Sequence, residues 1–212
     1  MHTDVYRNTR LPGGGLYAIS DGPRADLLAA CAAALRGGAT LLQYRDKGGE
    51  RARRHDEARA LAALCASFDV PLIVNDDVDL AAAVGAAGVH LGERDGDIAS
   101  ARARLGPAAI IGASCYGSVD RARLLAAAGA DYLAFGAFHP SPTKPGARRA
   151  SPDLLRAAKS LGLPLVAIGG ITADNARALL DAGADFIAVI SGVFGADDPA
   201  AAARRYSALF QK

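Results

Sequence analysis

Two cations and two carboxylates stand directly after short apolar segments of the chain. Arg45 and Lys47 are two residues apart after one such segment. Asp76 ends another segment, and Asp95 lies just beyond the next. An arginine can hold two oxygens of an anion in a fork and a lysine adds a point charge. Two carboxylates that leave the other coordination positions to water and phosphate are a usual way of holding Mg²⁺. The four residues favour a pyrophosphate site with Mg²⁺, and the alternative is ordinary solvated loops.

A second set of residues is suited to a monophosphate. Gly169-Gly170 and Ser191-Gly192 follow the last two apolar segments, and glycine lets backbone N–H groups approach an anion closely. The loop 138–146 is stiffened by prolines, which lowers the entropy lost when a loop orders around an anion. Its polar residues include Ser141, Thr143 and Lys144. We therefore expect two anion sites on one face of the protein.

The sequence offers no convincing pair for nucleophilic or acid–base catalysis. The hydroxyl of Ser114 could donate to a phosphate oxygen. Cys115 could be a nucleophile, but no partner histidine is evident, so an inert thiol is favoured. His90 lies inside an apolar segment, where a packed histidine is the favoured interpretation. His139 could act as an acid or base, but nothing in the sequence fixes that role.

The elements that must position these residues alternate regularly along the chain. Short apolar segments bounded by Gly, Pro or Asp are typical of buried strands, and the longer Ala-rich segments between them are typical of helices. The predicted strands are 15–20, 40–45, 71–76, 88–92, 110–114, 132–136, 164–169 and 186–191. The predicted helices are 25–36, 50–67, 78–84, 97–105, 119–128, 152–161, 173–181 and 199–210.

A longer repeat supports that count. Gly-Ala pairs precede the second, fourth, sixth and eighth strands, whereas a proline precedes each of the others. A βαβα unit used four times predicts an α/β fold, a single (β/α)₈ TIM barrel, in which functional residues gather at the C-terminal ends of the strands. The alternative is a doubly wound open sheet, which usually has fewer strands, and no G-x-G-x-x-G follows the first strand here. We predict one domain over residues 1–212, with 1–14 as an N-terminal lead-in.

Composition narrows the class of protein. The chain has 212 residues, of which 51% are hydrophobic and 22% charged, so disorder is excluded. A net charge of +2 is too balanced to suggest nucleic-acid binding, and no uncharged apolar run is long enough to span a membrane. Three cysteines without a secretory signal predict free thiols in a reducing compartment, hence the cytoplasm. We expect small-molecule partners, and a homo-oligomer is left open.

Seven short motifs, in this order, resemble the thiamine-phosphate synthase (thiamine phosphate pyrophosphorylase) family. The match covers nearly the whole chain. Each motif is weak alone, but together and at the right strand ends they are specific. The matching residues are Gln43/Arg45/Lys47, Asn75/Asp76, His90/Gly92/Asp95, Gly112/Ser114, Thr143/Lys144, 168–171 and Ile190/Ser191. The sequence departs from the family at Ser141, where Thr is frequent, at Glu93-Arg94, and at His139.

The resemblance implies a transferase in thiamine biosynthesis that depends on magnesium. It would couple 4-amino-2-methyl-5-(diphosphooxymethyl)pyrimidine to a thiazole phosphate, giving thiamine phosphate and pyrophosphate by dissociative loss of pyrophosphate. By the same resemblance, Asp76 and Asp95 would bind Mg²⁺. The pyrophosphate would be held by Arg45, Lys47, Ser114 and Lys144, and the pyrimidine by Gln43 and Asn75. The thiazole phosphate would be held by Ser141, Thr143, Gly170, Ile190 and Ser191.

Three other functions compete with this interpretation. A related thiazole tautomerase shares the barrel and the later strands but generally lacks the pyrophosphate-binding set. A Schiff-base aldolase would use Lys144 as its nucleophile, although the loop position of this lysine makes desolvation hard to arrange. A non-catalytic protein that binds phosphorylated ligands is the third.

Overall fold

A closed barrel of eight parallel strands forms the centre of the computed structural model, which describes residues 8–140 and 149–211. The strands pair in sequence order, and β8 closes on β1. They are β1 Gly15–Ile19, β2 Ala39–Tyr44, β3 Leu72–Asn75, β4 Gly88–Leu91, β5 Ile110–Tyr116, β6 Tyr132–Phe135, β7 Leu165–Ile168 and β8 Phe186–Val189. The predicted TIM barrel is confirmed.

Helices surround the barrel and connect its strands. They are α1 Leu27–Arg36, α2 Arg51–Ser67, α3 Val78–Val84, α4 Ile98–Leu105, α5 Val119–Ala127, α6 Pro152–Ala158, α7 Arg177–Asp181, α8 Ser191–Phe194 and α9 Pro199–Ser207. Every predicted helix has a counterpart, but α8 was not predicted. The predicted strand 186–191 ends earlier, at Val189, because Ile190 leaves the extended conformation (φ −105°, ψ −90°) and α8 begins at the next residue. None of the helices in the described parts of the chain has the length and apolar character that a membrane crossing requires.

The period of two along each strand decides which side chains enter the barrel. On β1, Tyr17 and Ile19 belong to the interior cluster, whereas Leu16 and Ala18 pack in the layer between strands and helices. On β2, Leu41 lies inside and Tyr44 outside. Continuing this alternation toward the C-terminal ends brings polar residues to the upper part of the interior. They are Gln43 on β2, Asn75 on β3, His90 on β4 and Ser114 on β5.

A glycine makes room for one large interior ring. Tyr132 on β6 is fully buried inside the barrel. A Cβ atom at Gly112 on β5 would lie 1.8 Å from Cζ of that ring, closer than any real contact. The Gly112 position therefore has to lack a side chain while Tyr132 occupies this place.

Candidate active site

The loop after β2 carries the two cations, and a buried carboxylate fixes it. The side chain of Asp46 is fully buried and pairs with Arg53 of α2 at 2.6 Å, while it accepts a hydrogen bond from the Gly48 N–H at 2.6 Å. The backbone N–H of Arg45 donates to Oγ of Ser20 at the end of β1, at 2.8 Å. These contacts hold the loop at both sides of Asp46. As a result, Arg45 is half-buried and Lys47 exposed at the mouth of the barrel.

The two predicted metal ligands meet at the ends of β3 and β4. The backbone N–H of Asp76 donates to the carbonyl of His90 at 2.9 Å, which ties the two strand ends together. Burial raises the pKa of Asp76, and so does the carboxyl group of Asp95, which lies within hydrogen-bonding reach. Nζ of Lys47 lies 3.8 Å from Oδ2 of Asp76. The structure therefore brings together one cation of the loop and both carboxylates.

This pair of carboxylates has the chemistry that Mg²⁺ needs. Asp76 also accepts a hydrogen bond from the amide of Asn75 at 2.6 Å, and Asp95 accepts one from the Gly92 N–H at 2.9 Å. Two hard oxygen donors with like charge gain by sharing a divalent cation. Among the described residues, no group of three or more His, Cys, Asp or Glu side chains could hold a metal. The protein would supply two carboxylates and leave the other positions to water and phosphate.

Backbone conformation also marks Asp76 as unusual. Its φ of 64° lies in the left-handed region, which a residue with a side chain seldom adopts. The following residue, Asp77, caps α3 by accepting a hydrogen bond from the Leu80 N–H at 2.9 Å. The turn from β3 into α3 thus points two consecutive carboxylates in different directions: Asp76 faces Asp95, and Asp77 faces the first turn of α3. Strain of this kind collects at binding and catalytic sites.

A chain of polar side chains crosses the interior just below the mouth. Nε2 of Gln43 donates to the phenol oxygen of Tyr17 at 2.6 Å, and that oxygen lies 2.8 Å from the phenol oxygen of Tyr132. Nδ1 of His90 lies 3.0 Å from the Tyr132 oxygen, and its Nε2 lies 2.9 Å from Oγ of Ser114. Burial raises the pKa of both tyrosines, so they remain neutral phenols. His90 is packed, as predicted, with its ring stacked on Tyr132, and it is also hydrogen-bonded.

The neighbouring Cys115 takes no part in this chain. It is fully buried on the other face of β5, in the layer between the barrel and the helices. Burial raises the pKa of its thiol to about 12, so little thiolate forms at neutral pH. The inert interpretation of Cys115 agrees with this position.

The loops after β7 and β8 form one small cavity of about 40 Å³. Its lining includes Gly170, Ile190 and Ser191, so these three predicted residues are brought together. Gly170 has a φ of 61°, and a Cβ atom there would lie 2.2 Å from the carbonyl oxygen of Pro140. The chain can pass this closely only because residue 170 has no side chain. Ser141, Thr143 and Lys144 lie outside the described residues.

Comparisons with known proteins decide the family. Residues 16–193 match the family model described as thiamine monophosphate synthase. The chain belongs to this family. It is 56% identical over 200 residues to the thiamine-phosphate synthase of Thiobacillus denitrificans, covering 93% of this chain and 95% of that protein. It is 53% identical over 199 residues to the thiamine-phosphate synthase of Halorhodospira halophila, with coverage of 93% and 95%.

Solved structures agree with this assignment. The thiamine phosphate pyrophosphorylase of Pyrococcus furiosus superposes with a TM-score of 0.84 at 37% identity, covering 95% of this chain and 96% of that one. A 3-hexulose-6-phosphate synthase superposes with a TM-score of 0.69 at 19% identity, covering 93% and 100%, which shows only that the barrel is shared. The resemblance to the thiamine monophosphate synthase family that the motifs indicated is therefore confirmed, and the competing functions are not favoured.

Two features of this candidate site were not predicted from the sequence. Tyr17 and Tyr132 connect Gln43 to the His90–Ser114 pair, although neither tyrosine was singled out. The alternation of inward and outward residues along β1 and β6 could have indicated them. The other feature is the role of Asp46. In the sequence it resembles an ordinary charged loop residue, but in the structure it is paired with Arg53 of α2.

Proposed function

We propose that this chain couples 4-amino-2-methyl-5-(diphosphooxymethyl)pyrimidine to a thiazole phosphate in a reaction that depends on Mg²⁺. The observation that carries the proposal is the contact between Asp76 and Asp95, with the ammonium group of Lys47 3.8 Å from Asp76. Two carboxylates beside cations at one barrel mouth suit a divalent cation and an anionic substrate together. Membership of the family supports the identity of the two substrates.

The pyrophosphate group of the pyrimidine substrate would lie between the loop after β2 and Ser114. Arg45 and Lys47 stand on either side of the anchored Asp46, so both can turn toward the same anion. Lys144, from the loop after β6, would add a further cation. Fixed positive charges of this kind stabilise the negative charge that develops on a leaving group.

Asp76 and Asp95 would hold Mg²⁺, and both have to be ionised to do so. When bound, Mg²⁺ supplies a Lewis acid that stabilises the oxygens of the departing pyrophosphate. Because burial and the neighbouring carboxyl raise the pKa of Asp76 in the metal-free protein, binding of the cation is coupled to loss of a proton from this pair.

Gln43 and Asn75 would orient the aminopyrimidine over the barrel interior. The CH₂–O bond breaks and both of its electrons leave with the pyrophosphate, while the electron-rich ring stabilises the cation left on carbon. The lone pair of the thiazole nitrogen then forms the new C–N bond. This nitrogen carries no proton to remove, so no strong general base is required.

The phosphate of the thiazole substrate would occupy the cavity formed by the loops after β7 and β8. Backbone N–H groups near Gly170, Ile190 and Ser191 can reach an anion there, as in many TIM barrels. Ser141 and Thr143 would add hydroxyl groups from the loop after β6. The two anionic groups would then be held at separate positions on one face.

We further propose that residues 1–212 form one domain, with 1–14 as its lead-in, and that the enzyme works in the cytoplasm. All three cysteines are buried free thiols, which is typical of proteins from a reducing compartment.

The decisive experiment is to measure pyrophosphate release from the pyrimidine substrate, with and without the thiazole phosphate, across a titration with Mg²⁺. We expect rapid release only when both substrates and Mg²⁺ are present, together with formation of thiamine phosphate. A thiazole tautomerase would isomerise the thiazole without releasing pyrophosphate. An aldolase would give a borohydride-trapped adduct on Lys144, and a binding protein would give neither product; any of these results would overturn the proposal.

A further inference from the structure

We propose that Tyr132 is a positioning residue that fixes the direction of the hydrogen-bond chain across the barrel and so makes Ser114 a donor to the substrate. This inference rests on the proposed function only where it assigns the substrate to the mouth above Ser114. Its structural part concerns the five residues Gln43, Tyr17, Tyr132, His90 and Ser114, and it holds in the absence of any ligand.

The direction of the chain follows from its first member. The amide nitrogen of Gln43 can only donate, so the oxygen of Tyr17 accepts from it. Tyr17 is 1% exposed, and a buried hydroxyl whose hydrogen has no acceptor costs free energy. Among the hydrogen bonds of the described residues, the oxygen of Tyr132 is the acceptor available to that hydrogen. Tyr17 therefore donates to Tyr132.

The direction of these first hydrogen bonds determines the direction of the two that follow, from Tyr132 to His90 and from His90 to Ser114. Since Tyr132 accepts from Tyr17, its own hydrogen points to Nδ1 of His90 at 3.0 Å. Nδ1 then accepts and carries no proton, so the ring proton of neutral His90 lies on Nε2 and is donated to Oγ of Ser114 at 2.9 Å. The hydroxyl hydrogen of Ser114 is thereby left for an acceptor beyond the chain. An oxygen of the pyrophosphate is such an acceptor.

Tyr132 joins the two halves of the chain, since its hydroxyl group contacts both Tyr17 and His90, and its ring is fixed in place. Its ring packs edge-on to Tyr17, with centroids 5.9 Å apart, and parallel to His90, with centroids 5.6 Å apart. Gly112 leaves the space that the ring fills, because a Cβ atom there would lie 1.8 Å from the ring. The glycine two residues before Ser114 thus has a physical reason, which is to admit the ring that orients the serine through His90.

The opposite direction is the sharpest alternative, and it predicts a different tautomer. If the amide oxygen of Gln43 faced Tyr17, every donor in the chain would reverse, His90 would carry its proton on Nδ1, and Ser114 would donate to His90. Ser114 would then present only an acceptor, which suits no phosphate oxygen. The position of one proton on His90 therefore decides between the two directions.

Nitrogen-15 NMR of the imidazole rings in the ligand-free protein reads this proton directly. The chain has four histidines, so the His90 signals are assigned by their loss in His90→Gln. We expect the neutral Nε2–H tautomer in the wild type and a loss of this preference in Tyr132→Phe, which removes the donor to Nδ1. An Nδ1–H tautomer, or a doubly protonated ring, in the wild type overturns the proposal, and that measurement requires no variant that might fail to fold.

A matched control is Tyr44→Phe. Tyr44 is nearly as buried as Tyr132 (1% and 0% exposed), but it faces the helices, where its hydroxyl donates to Glu57 at 2.7 Å. Tyr44→Phe loses a buried phenol hydroxyl just as Tyr132→Phe does, so the two should lose similar thermal stability. Only Tyr132→Phe should change the His90 signals. A change of the same size in both variants would mean that the tautomer reports general loosening, against the proposal.

Kinetics test whether Tyr132 acts through Ser114. We expect Tyr132→Phe to lower kcat about tenfold, the effect of one hydrogen bond to a charged group, and to leave the KM for the thiazole phosphate unchanged. In a Ser114→Ala background, the same change should lower kcat by no more than about twofold. Equal losses in both backgrounds would refute the positioning role. A wild-type enzyme that releases no pyrophosphate would instead refute the proposed function and leave the NMR result standing.

Discussion

Each end of the barrel holds a pair of aspartates: Asp131 and Asp185 at the N-terminal (lower) end, and Asp76 and Asp95 at the C-terminal (upper) end. The two pairs differ in the groups that surround their carboxylates. At the N-terminal end, Asp131 accepts hydrogen bonds from Arg102 at 2.7 Å and from the Ile111 N–H at 2.7 Å. At the C-terminal end, Asp76 lies against Asp95, and burial together with that neighbour raises its pKa. The first arrangement neutralises a carboxylate within the fold. The second brings two carboxylates into contact beside the ammonium group of Lys47, where a divalent cation would stabilise both.

The lower pair comes from the internal repeat. Asp131 and Asp185 both stand in the sequence Gly-Ala-Asp that precedes an even-numbered strand. Asp185 accepts a hydrogen bond from the Leu165 N–H at 2.8 Å, as Asp131 does from Ile111. Each therefore completes the pairing of its strand with the preceding one. The copies of the repeat at β6 and β8 share this carboxylate, whereas Thr40 and Ala87 stand at the corresponding positions of β2 and β4.

Cavity volume alone would place the functional site at the lower end of the barrel, not at the upper end. A cavity of about 230 Å³ lies at the lower end, and its lining includes Asp131, Lys159 and Asp185. In that cavity Asp131 is paired with Arg102, and Asp185 accepts a hydrogen bond from the Leu165 N–H. The contact between two carboxylates, more than the volume of a cavity, is therefore the observation on which the proposed metal site rests.

The largest expected effect comes from removing one charge of the upper pair. Asp76→Asn and Asp95→Asn should each lower kcat/KM by roughly 10²–10³-fold or more, because one metal ligand and its charge are lost at the leaving group. Asparagine is chosen since it tolerates the left-handed conformation of residue 76 better than alanine. Steady-state kinetics at limiting Mg²⁺ measures the effect. Urea denaturation should show no loss of stability, because a like-charge contact has been relieved.

Full activity of either variant at limiting Mg²⁺ would contradict the assignment of these two residues to the metal.

The corresponding change at the lower end should act on stability alone. Asp131→Ala leaves Arg102 and the Ile111 N–H without their carboxylate, which should lower the free energy of unfolding by about 3 kcal/mol. Urea denaturation measures this loss, and kcat of the folded variant should equal that of the wild type. The control is Asp120→Ala, since Asp120 forms an exposed pair with Arg123 on α5 and its loss should cost about 0.5 kcal/mol or less. A stable but inactive Asp131→Ala enzyme would contradict the purely structural role of Asp131.

Sequence reasoning succeeded where the signals are local. Strand and helix positions follow from apolar runs and the Gly and Pro residues between them, so the order of the barrel could be predicted. Asp76 and Asp95 could be placed at one mouth because the ends of parallel strands meet there. Helix α8 was missed because Ile190 and Ser191 continue an apolar run, and only the backbone torsion at Ile190 ends the strand.

The sequence could not reveal contacts that depend on distant segments. Tyr17 and Tyr132 are 115 residues apart, and their contact exists only once the barrel closes. The anchoring of Asp46 likewise depends on Arg53, which reaches it from α2. The roles assigned to Ser141, Thr143 and Lys144 remain predictions from the motifs.

One glycine at each end of the barrel has a left-handed backbone conformation, and replacing each by alanine should have a smaller effect than the changes above. Gly170 at the upper end and Gly85 at the lower end have nearly the same φ, 61° and 64°, so Gly→Ala adds similar backbone strain at both. A Cβ atom at Gly170 would meet the Pro140 carbonyl at 2.2 Å, whereas nothing lies within 4 Å at Gly85. Gly170→Ala should therefore raise the KM for the thiazole phosphate about tenfold, equivalent to about 1.4 kcal/mol. Gly85→Ala should leave both KM values unchanged, and substrate titrations of the two variants measure this.

If Gly170→Ala raised the KM for the pyrimidine substrate instead, the two anion sites would have to be exchanged.

The smallest effect tests whether the partner or the position decides the behaviour of a carboxylate. Asp46 lies at the upper end, yet it is paired with an arginine, as Asp131 is at the lower end. Burial acts to raise its pKa, but the Gly48 N–H and the Arg53 guanidinium outweigh burial and hold the pKa of Asp46 below its ordinary value. The folded state therefore binds this proton less readily than the unfolded state. Its contribution to stability is present above the ordinary pKa of about 4 and is lost as the pH falls through the folded-state pKa.

Asp46→Asn should lower the free energy of unfolding by about 1 kcal/mol at neutral pH, and the gap from the wild type should close in acid. Urea denaturation of both proteins from neutral to acidic pH measures the gap. A gap that widens in acid would show that the pKa of Asp46 is raised, as that of Asp76 is, and a constant gap would show that it is not lowered. Either result would contradict the stabilising role assigned to Arg53 and Gly48.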